Sequence, residues 1–131
     1  MTAKLAATAA DWPGVFEHNF NRADIEGLLA SYTDDAVLDV GGANVMRGRD
    51  QIRLGLENFL APGLPIRVQA RRIVESGDSA VVFFDWAIDG RTADGGEVKM
   101  GGSGVDVLKR GADGLWRQHL DSPFGSATPD A

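Results

Sequence analysis

Four polar side chains stand inside stretches that read as β-strand: Asp39, Asp106, His119 and Asp121. Carboxylates are depleted in strands, so each must reach water or serve a purpose inside. Asp39 lies between Leu38 and Val40. On one face it is a solvated strand residue. On the other it is a carboxylate in an apolar cavity, where burial raises its pKa and suits it to general acid–base work near neutral pH. Asp106 alternates with Val105 and Val107. It is wet if the valines face inward, and borders a cavity if Gly104, Asp106 and Leu108 do. The glycine leaves room on that face, which favours the inward reading; a buried, protonated Asp can donate to a developing oxyanion. His119 and Asp121 share a face of a regular strand. They read either as a surface pair or as a His whose tautomer is set by a carboxylate at a pocket mouth.

The elements that position these groups follow from periodicity. Residues 101–125 read as a β-hairpin of strands 105–109 and 115–120, reversed by the Gly- and Asp-rich link between them. Val15, Phe16 and Phe20 recur at helical spacing and predict a helix over about 11–22, with Asp11 as N-cap and Pro13 in its first turn. A second helix is expected over 24–32, capped by Asp24. A turn at 33–35 precedes a short strand, 36–40, and 45–47 pairs back after a turn at 41–44. Ile52, Leu54, Leu56, Phe59 and Leu60 give the apolar side of a further helix that Pro62-Gly63 stops. Strands are expected over 66–74, 80–88 and 97–108. Gly101, Gly102 and Gly104 in the last predict a bend, a bulge or a close approach of another group. Helices followed by a meander imply an α+β fold, a curved and mostly antiparallel sheet wrapped around N-terminal helices. Residues 1–131 form a single domain in this reading, with 1–10 and 126–131 as loose ends.

Phe84, Trp86 and Ile88 share one face of the most apolar strand. They are either plain core or the wall of a ligand pocket, since such pockets are mostly hydrophobic. Val81 and Phe83 on the other face, beside Asp85, indicate that the outer face of the sheet is covered as well, as by a second subunit.

Composition narrows the partners. The chain has 131 residues with 13 Lys and Arg against 19 Asp and Glu, a net charge of −6. That argues against nucleic acid and anionic membranes, which need basic patches. Cysteine is absent and histidine occurs twice, which removes disulfides, thiolate catalysis and multi-histidine metal sites. No nucleophile elbow and no phosphate-binding glycine loop is present. The first ten residues lack the apolar core of a signal peptide and no run is long enough to span a membrane, so a cytoplasmic protein is expected.

Tyr32-Thr33-Asp34-Asp35-Ala36-Val37-Leu38-Asp39, then Arg47-Gly48-Arg49-Asp50-Gln51-Ile52, resembles the signature of the nuclear transport factor 2-like superfamily. The pattern is most similar to its ketosteroid isomerase-like and SnoaL-like (polyketide cyclase-like) branches. The break at 21–24, Asp106, Gly114-Leu115-Trp116 and Phe124-Gly125 fit the same branches, so the resemblance spans roughly 16–125. It implies a cone-shaped, cystatin-like α+β barrel with one pocket. By position it makes Asp39 the proton-shuttling base, with one gap allowed, and Asp106 the protonated acid of an oxyanion hole. Phe124 becomes an aromatic on the substrate, with Trp86 and Ile88 as wall. The chain departs from the steroid isomerases at Phe16, which stands where their oxyanion-hole tyrosine is expected. A phenyl ring cannot donate, and losing one such donor costs about 2.7–4 kcal/mol of transition-state stabilisation. Tyr32, Gln118 and His119 are the candidates to replace it.

The expectation is therefore a cofactor- and metal-independent enzyme that transfers a proton next to a carbonyl, on a small hydrophobic or polyketide- or steroid-like ligand, as a homodimer through its outer sheet face. Phe16, Tyr32, Phe84, Trp86, Ile88, His119 and Phe124 would contact the ligand. The alternatives are a non-catalytic ligand-binding or dimerisation module with the same cone, and a hydratase or dehydratase using His119.

Overall fold

The computed structural model describes residues 5–41 and 44–126; the outermost parts of the expected loose ends, and two residues of the turn expected at 41–44, lie outside them. A 3-10 turn, Ala9–Asp11, leads into α1 (Trp12–Asn21) and α2 (Ile25–Ala30). Then come β1 (Tyr32–Asp39), β2 (Val45–Arg47) and α3 (Gly48–Leu60). The chain finishes with β3 (Ile66–Ser76), β4 (Ser79–Arg91), β5 (Glu97–Arg110) and β6 (Trp116–Ser122). All six strands form one sheet in the order β2-β1-β6-β5-β4-β3. The last four strands are an antiparallel meander, and β1 joins β6 in parallel. The expected α+β cone, with a curved sheet wrapped around helices, is the observed fold.

The helices form where apolar spacing asked for them. Trp12, Val15, Phe16 and Phe20 are buried on one side of α1, which lies against β3. Its start differs from expectation. Thr8, not Asp11, is the capping residue: Thr8 Oγ1 accepts from the Asp11 N–H and Asp11 Oδ2 accepts from the Thr8 N–H, both at 3.2 Å. This reciprocal pair is a capping box on the 3-10 turn, so the Asp11 carboxylate is spent one turn before α1. Asp24 does cap α2, accepting from the Gly27 N–H at 2.9 Å. Gly55 lets α3 press onto β1. A Cβ there would meet Met46 Sδ at 2.6 Å and Leu38 Cδ2 at 2.8 Å.

Two further expectations are corrected. Residues 5–10 are not loose: Ala6 and Ala9 are buried, and the Ala6 carbonyl accepts from the Trp116 N–H at 2.9 Å. Methyl side chains are small enough to lie under β6 while the backbone pairs with it. Residues 33–35 are strand, not turn. Arg49 holds them extended, donating to the Tyr32 carbonyl at 2.7 Å and pairing with Asp34 at 2.9 Å.

Sheet edge β3 is partly covered by α1. Asn21 accepts from the Ile66 N–H at 2.8 Å and donates to the Ile66 carbonyl at 3.2 Å, as a neighbouring strand would. Glu17, one turn earlier, accepts from the Val68 N–H at 2.9 Å. Edge groups left open would be a template for another chain.

The register of β5 against β6 decides the site. Leu108 pairs with Gln118, yet Val107 pairs with Leu120, so one extra residue, His119, is bulged out of β6. A bulge changes which side chains share a face. Gln118 and Asp121, three positions apart, therefore both point to the helix-covered side and are buried, whereas His119 and Leu120 are partly exposed.

Candidate active site

Between the sheet and the helices lies a narrow, partly open apolar cavity of about 40 Å³. Trp12, Phe16 and Phe20 of α1 form one wall, and Leu56 and Phe59 of α3 another. Leu38, Ile66, Val68, Phe84 and Trp86 supply the sheet side. Gln118, Asp121 and Pro123 close it from β6 and the segment after it. The aromatic walls are packed edge to face: Trp12 on Phe84 at 5.2 Å and Phe59 on Trp86 at 5.7 Å. The glycines of β5 make room for them. A Cβ on Gly104 would lie 2.4 Å from Cζ of Phe84, so that ring rests on bare backbone. The Trp86 indole N–H donates to the Pro123 carbonyl at 2.7 Å and fixes the segment that follows β6.

Behind Asp121 sits a buried polar chain. Tyr32 donates its hydroxyl to Asp121 Oδ2 at 2.6 Å. Asp106 and Asp121 are cross-strand partners, and each carboxyl acts on the titration of the other. Gln118 Nε2 donates to Asp106 Oδ2 at 2.8 Å, and the Ser122 N–H donates to Asp106 Oδ1 at 3.2 Å. Tyr32, Asp106 and Gln118 are each 0% exposed and Asp121 is 6% exposed. Burial, and next the charge of Asp121, push the Asp106 carboxyl well above its ordinary value. Burial also raises Asp121, against hydrogen bonds from Asp106, Tyr32 and Gln118 that favour its anion. Burial, then the charge of Asp121, push the Tyr32 hydroxyl up. Two carboxyls this close do not both ionise. Asp106 is pushed up the further of the two, so it keeps its proton longer, and Asp121, with donors on it, is the carboxyl beside the cavity that ionises first.

The residues singled out from sequence divide into four groups. Phe16, Phe84 and Trp86 line the cavity. Asp106 and Tyr32 stand one hydrogen bond behind it, through Asp121 and Gln118. Ile88 is fully buried core, and Phe124 packs edge to face on Trp86 at 5.8 Å without lining the space. Asp39 and His119 are not brought to the cavity. Leu38 lines it, so its neighbour Asp39 points to the opposite face, where it accepts from the Gly41 N–H at 2.9 Å and from Ser122 Oγ at 3.3 Å. His119, displaced by the bulge, bonds Thr33 Oγ1 at 2.9 Å and lies 3.5 Å from Asp35. The side chain after Asp39 on the inner face is Val40, which packs on the core. Sequence reasoning singled out Asp121 with His119 but gave it no catalytic place. A regular strand would have grouped it with His119, and nothing local in the sequence marks the bulge.

Among the described residues no cluster of metal-ligating side chains occurs, and no helix is long and apolar enough to cross a membrane.

A six-stranded curved sheet over helices, with an apolar cavity between them, defines a protein of the cone-shaped α+β class. The SnoaL-like domain model matches residues 14–119, and the chain belongs to that family. A ketosteroid isomerase-like protein from Erwinia carotovora atroseptica is similar in structure, with a TM-score of 0.72 and 24% identity over 86% of this chain and 89% of that one. Aln2 from a Streptomyces species is similar with a TM-score of 0.71 and 18% identity, covering 86% of this chain and 84% of its own. A conserved protein from Planctomyces limnophilus follows, with a TM-score of 0.70 and 19% identity, over 86% and 87% of the two chains. At these identities the likeness is one of fold. No curated protein matches the chain.

Proposed function

We propose that this protein is a cofactor-independent acid–base enzyme of the isomerase or cyclase type, acting on a small, largely apolar carbonyl compound. The observation that carries the reading is the buried cross-strand pair Asp106–Asp121, of which Asp121 lines the apolar cavity. Asp121 is the base. Its carboxylate takes a proton from the carbon next to the ligand carbonyl; the C–H electron pair becomes the enolate, and the negative charge moves to the ligand oxygen. Return of the proton to a different carbon completes an isomerisation, and attack of the enolate carbon on an electrophile within the same ligand completes a ring closure. Asp106 keeps its proton longer and leaves the charge to Asp121, which Tyr32 steadies through its hydroxyl. The base role that the resemblance assigns to Asp39 passes to Asp121 in this reading, because Asp39 faces away from the cavity.

Proton abstraction can be tested without knowing the natural substrate. Cyclic ketones such as 1-tetralone, incubated with the protein in deuterium oxide, should exchange the hydrogens next to the carbonyl faster than in buffer. Asp121→Asn should bring the rate down about a hundredfold or more, as removal of a positioned base does. Ketones that bind without any enhanced exchange would leave a binding module in place of an enzyme.

The homodimer is proposed on a separate observation. Val81, Phe83, Val105, Val107 and Leu120 adjoin one another on the outer sheet face and are half-buried. A second copy is the occupant that the apolar stripe favours, and a purely monomeric sedimentation profile at micromolar concentration would count against it. A cytoplasmic location is part of the same proposal.

A further inference from the structure

The outer face of the sheet carries a pattern that is symmetrical about β5. The strands run β3-β4-β5-β6-β1 with β5 in the middle, and β2 lies beyond β1. Cross-strand pairing aligns Val74, Val81, Val107, Leu120 and Val37 in one row, a residue from each of these five strands. All five are apolar, and Val74 at the β3 end is 44% exposed. The neighbouring row is Arg72, Phe83, Val105, Ser122 and Asp39. It is apolar in the middle, cationic at the β3 end and anionic at the β1 end. Val82, Phe84, Asp106 and Asp121, which alternate with these residues, are buried on the helix side, and this places both rows outside. The other β3 arginines are engaged, Arg67 with Asp89 at 3.3 Å and Arg71 with Asp85 at 3.2 Å. Arg72 is exposed and makes no ion pair among the described residues. Asp39 accepts from neutral donors, the Gly41 N–H and Ser122 Oγ. Polar residues of β5 bound the two rows, Ser103 on one side and Lys109 on the other.

We infer that two copies of this chain pack these rows face to face about a two-fold axis running along β5, so that Arg72 of each copy meets the partner's Asp39. This rests on the homodimer proposed above and fixes its axis. A two-fold interface uses the same patch on both copies, so the patch must complement itself. Turned about β5, Val107 faces the partner's Val107, Val81 the partner's Leu120, and Val74 the partner's Val37. Every position of the apolar row therefore meets an apolar one, and the ends of the second row meet as opposite charges. A two-fold axis across the strands would instead set β3 on β3 and β1 on β1. It would bring the two Arg72 side chains together, and likewise the two Asp39 side chains. Like charges so placed are costly, and the charge arrangement selects the axis along β5. Ser103 and Lys109 then lie at the polar rim of the contact, the lysine on a long stem that reaches water.

The test exchanges the charges. Arg72→Asp sets acid against acid in its own dimer, and Asp39→Arg sets base against base. Each variant alone should dimerise at least about tenfold more weakly than the wild type in sedimentation equilibrium, since each dimer holds two such contacts. An equimolar mixture of the two should regain dimer at close to the wild-type affinity, because both contacts of the mixed dimer pair an acid with a base. A size tag on one variant identifies the mixed species, and its recovery shows that both variants fold. Asp39 also accepts from the Gly41 N–H, so a second pair leaves it untouched. Val74→Asp and Val37→Lys, which the same axis brings together, should likewise be weak alone and recover on mixing. A wild-type dimer whose affinity is unchanged in the single variants, or that is strengthened by Arg72→Asp, overturns the axis and leaves the homodimer standing. Absence of recovery in both mixtures does the same. A wild-type chain that stays monomeric across the concentration range overturns the homodimer and the axis together.

Discussion

Tyr32 at the start of β1 and Asp121 near the end of β6 meet at 2.6 Å, hydroxyl to carboxylate, across 89 residues of sequence. This bond joins the first strand to the last at the point where the cavity acquires its charge. Tyr32→Phe removes the donor and leaves Asp121 buried with fewer partners. It should destabilise the fold by about 1.5–3 kcal/mol, the range for hydrogen bonds to charged groups, read from urea unfolding. Losing a donor that favours the anion moves Asp121 further up. The acid limb of any hydrogen-exchange profile should therefore shift to higher pH.

Asp106 gives the stability a definite slope with pH. Its carboxyl is held well above the ordinary value of 3.8 in the folded chain. The unfolded chain thus releases its proton first as pH rises. Stability is greatest below the ordinary carboxyl range and falls as pH climbs from there toward the folded value. Asp106→Asn keeps a neutral donor and one of the two acceptors, so it gives up one of the bonds from Gln118 and Ser122. It should therefore start lower near pH 4 and fall less as pH rises. Asp121, raised for the same first cause, retains part of the slope. Urea midpoints measured from pH 4 to 8 decide the matter; parallel curves for the two proteins would contradict the buried-proton account.

Gly104 and Phe84 are a cross-strand pair in which the ring occupies the place of the missing side chain. Gly104→Ala should cost about 1–3 kcal/mol, the usual penalty of overpacking, by driving Phe84 toward the cavity. In the background of Phe84→Leu the same substitution should cost much less, and a double-mutant cycle measures the difference. Additive penalties would show that the ring is not what Gly104 accommodates.

Asn21 should matter more to the sheet edge than to its own helix. Asn21→Ala leaves the Ile66 N–H and carbonyl without their side-chain partner. A loss of about 1–2 kcal/mol is expected, together with greater self-association on warming, followed by light scattering. A loss without association would confine its role to folding.

Asp39 and His119 provide the complementary test of placement. Both face away from the cavity, and both are bonded to neighbours on the outer side. Asp39→Asn and His119→Gln should leave ketone affinity and hydrogen exchange within about twofold of the wild type, whereas Asp121→Asn removes exchange. Loss of exchange in Asp39→Asn would return the base to β1.

Much of the fold was legible because periodicity is local. The spacing of Val15, Phe16 and Phe20 marks α1, Asp24 caps α2, and Gly111, Asp113 and Gly114 turn the last hairpin, whatever the rest of the chain does. The apolar wall was legible for the same reason, since Phe84 and Trp86 share a face of any strand that contains them. The α+β order, the cone and the inward direction of Asp106 follow from such patterns together with the family signature. The polar centre of the site was not legible, because it depends on one residue of register. The bulge at His119 exchanges His119 for Gln118 and Asp121 on the inner face, and the alternation past Leu38 turns Asp39 outward. A bulge is a property of two paired strands, and its hydrogen bonds are made only once β5 and β6 are side by side. The sequence by itself determined which elements form and which aromatic face is inside; only the tertiary structure decided which carboxylate meets the cavity, because that choice is made by strand pairing and not by any residue's own preference.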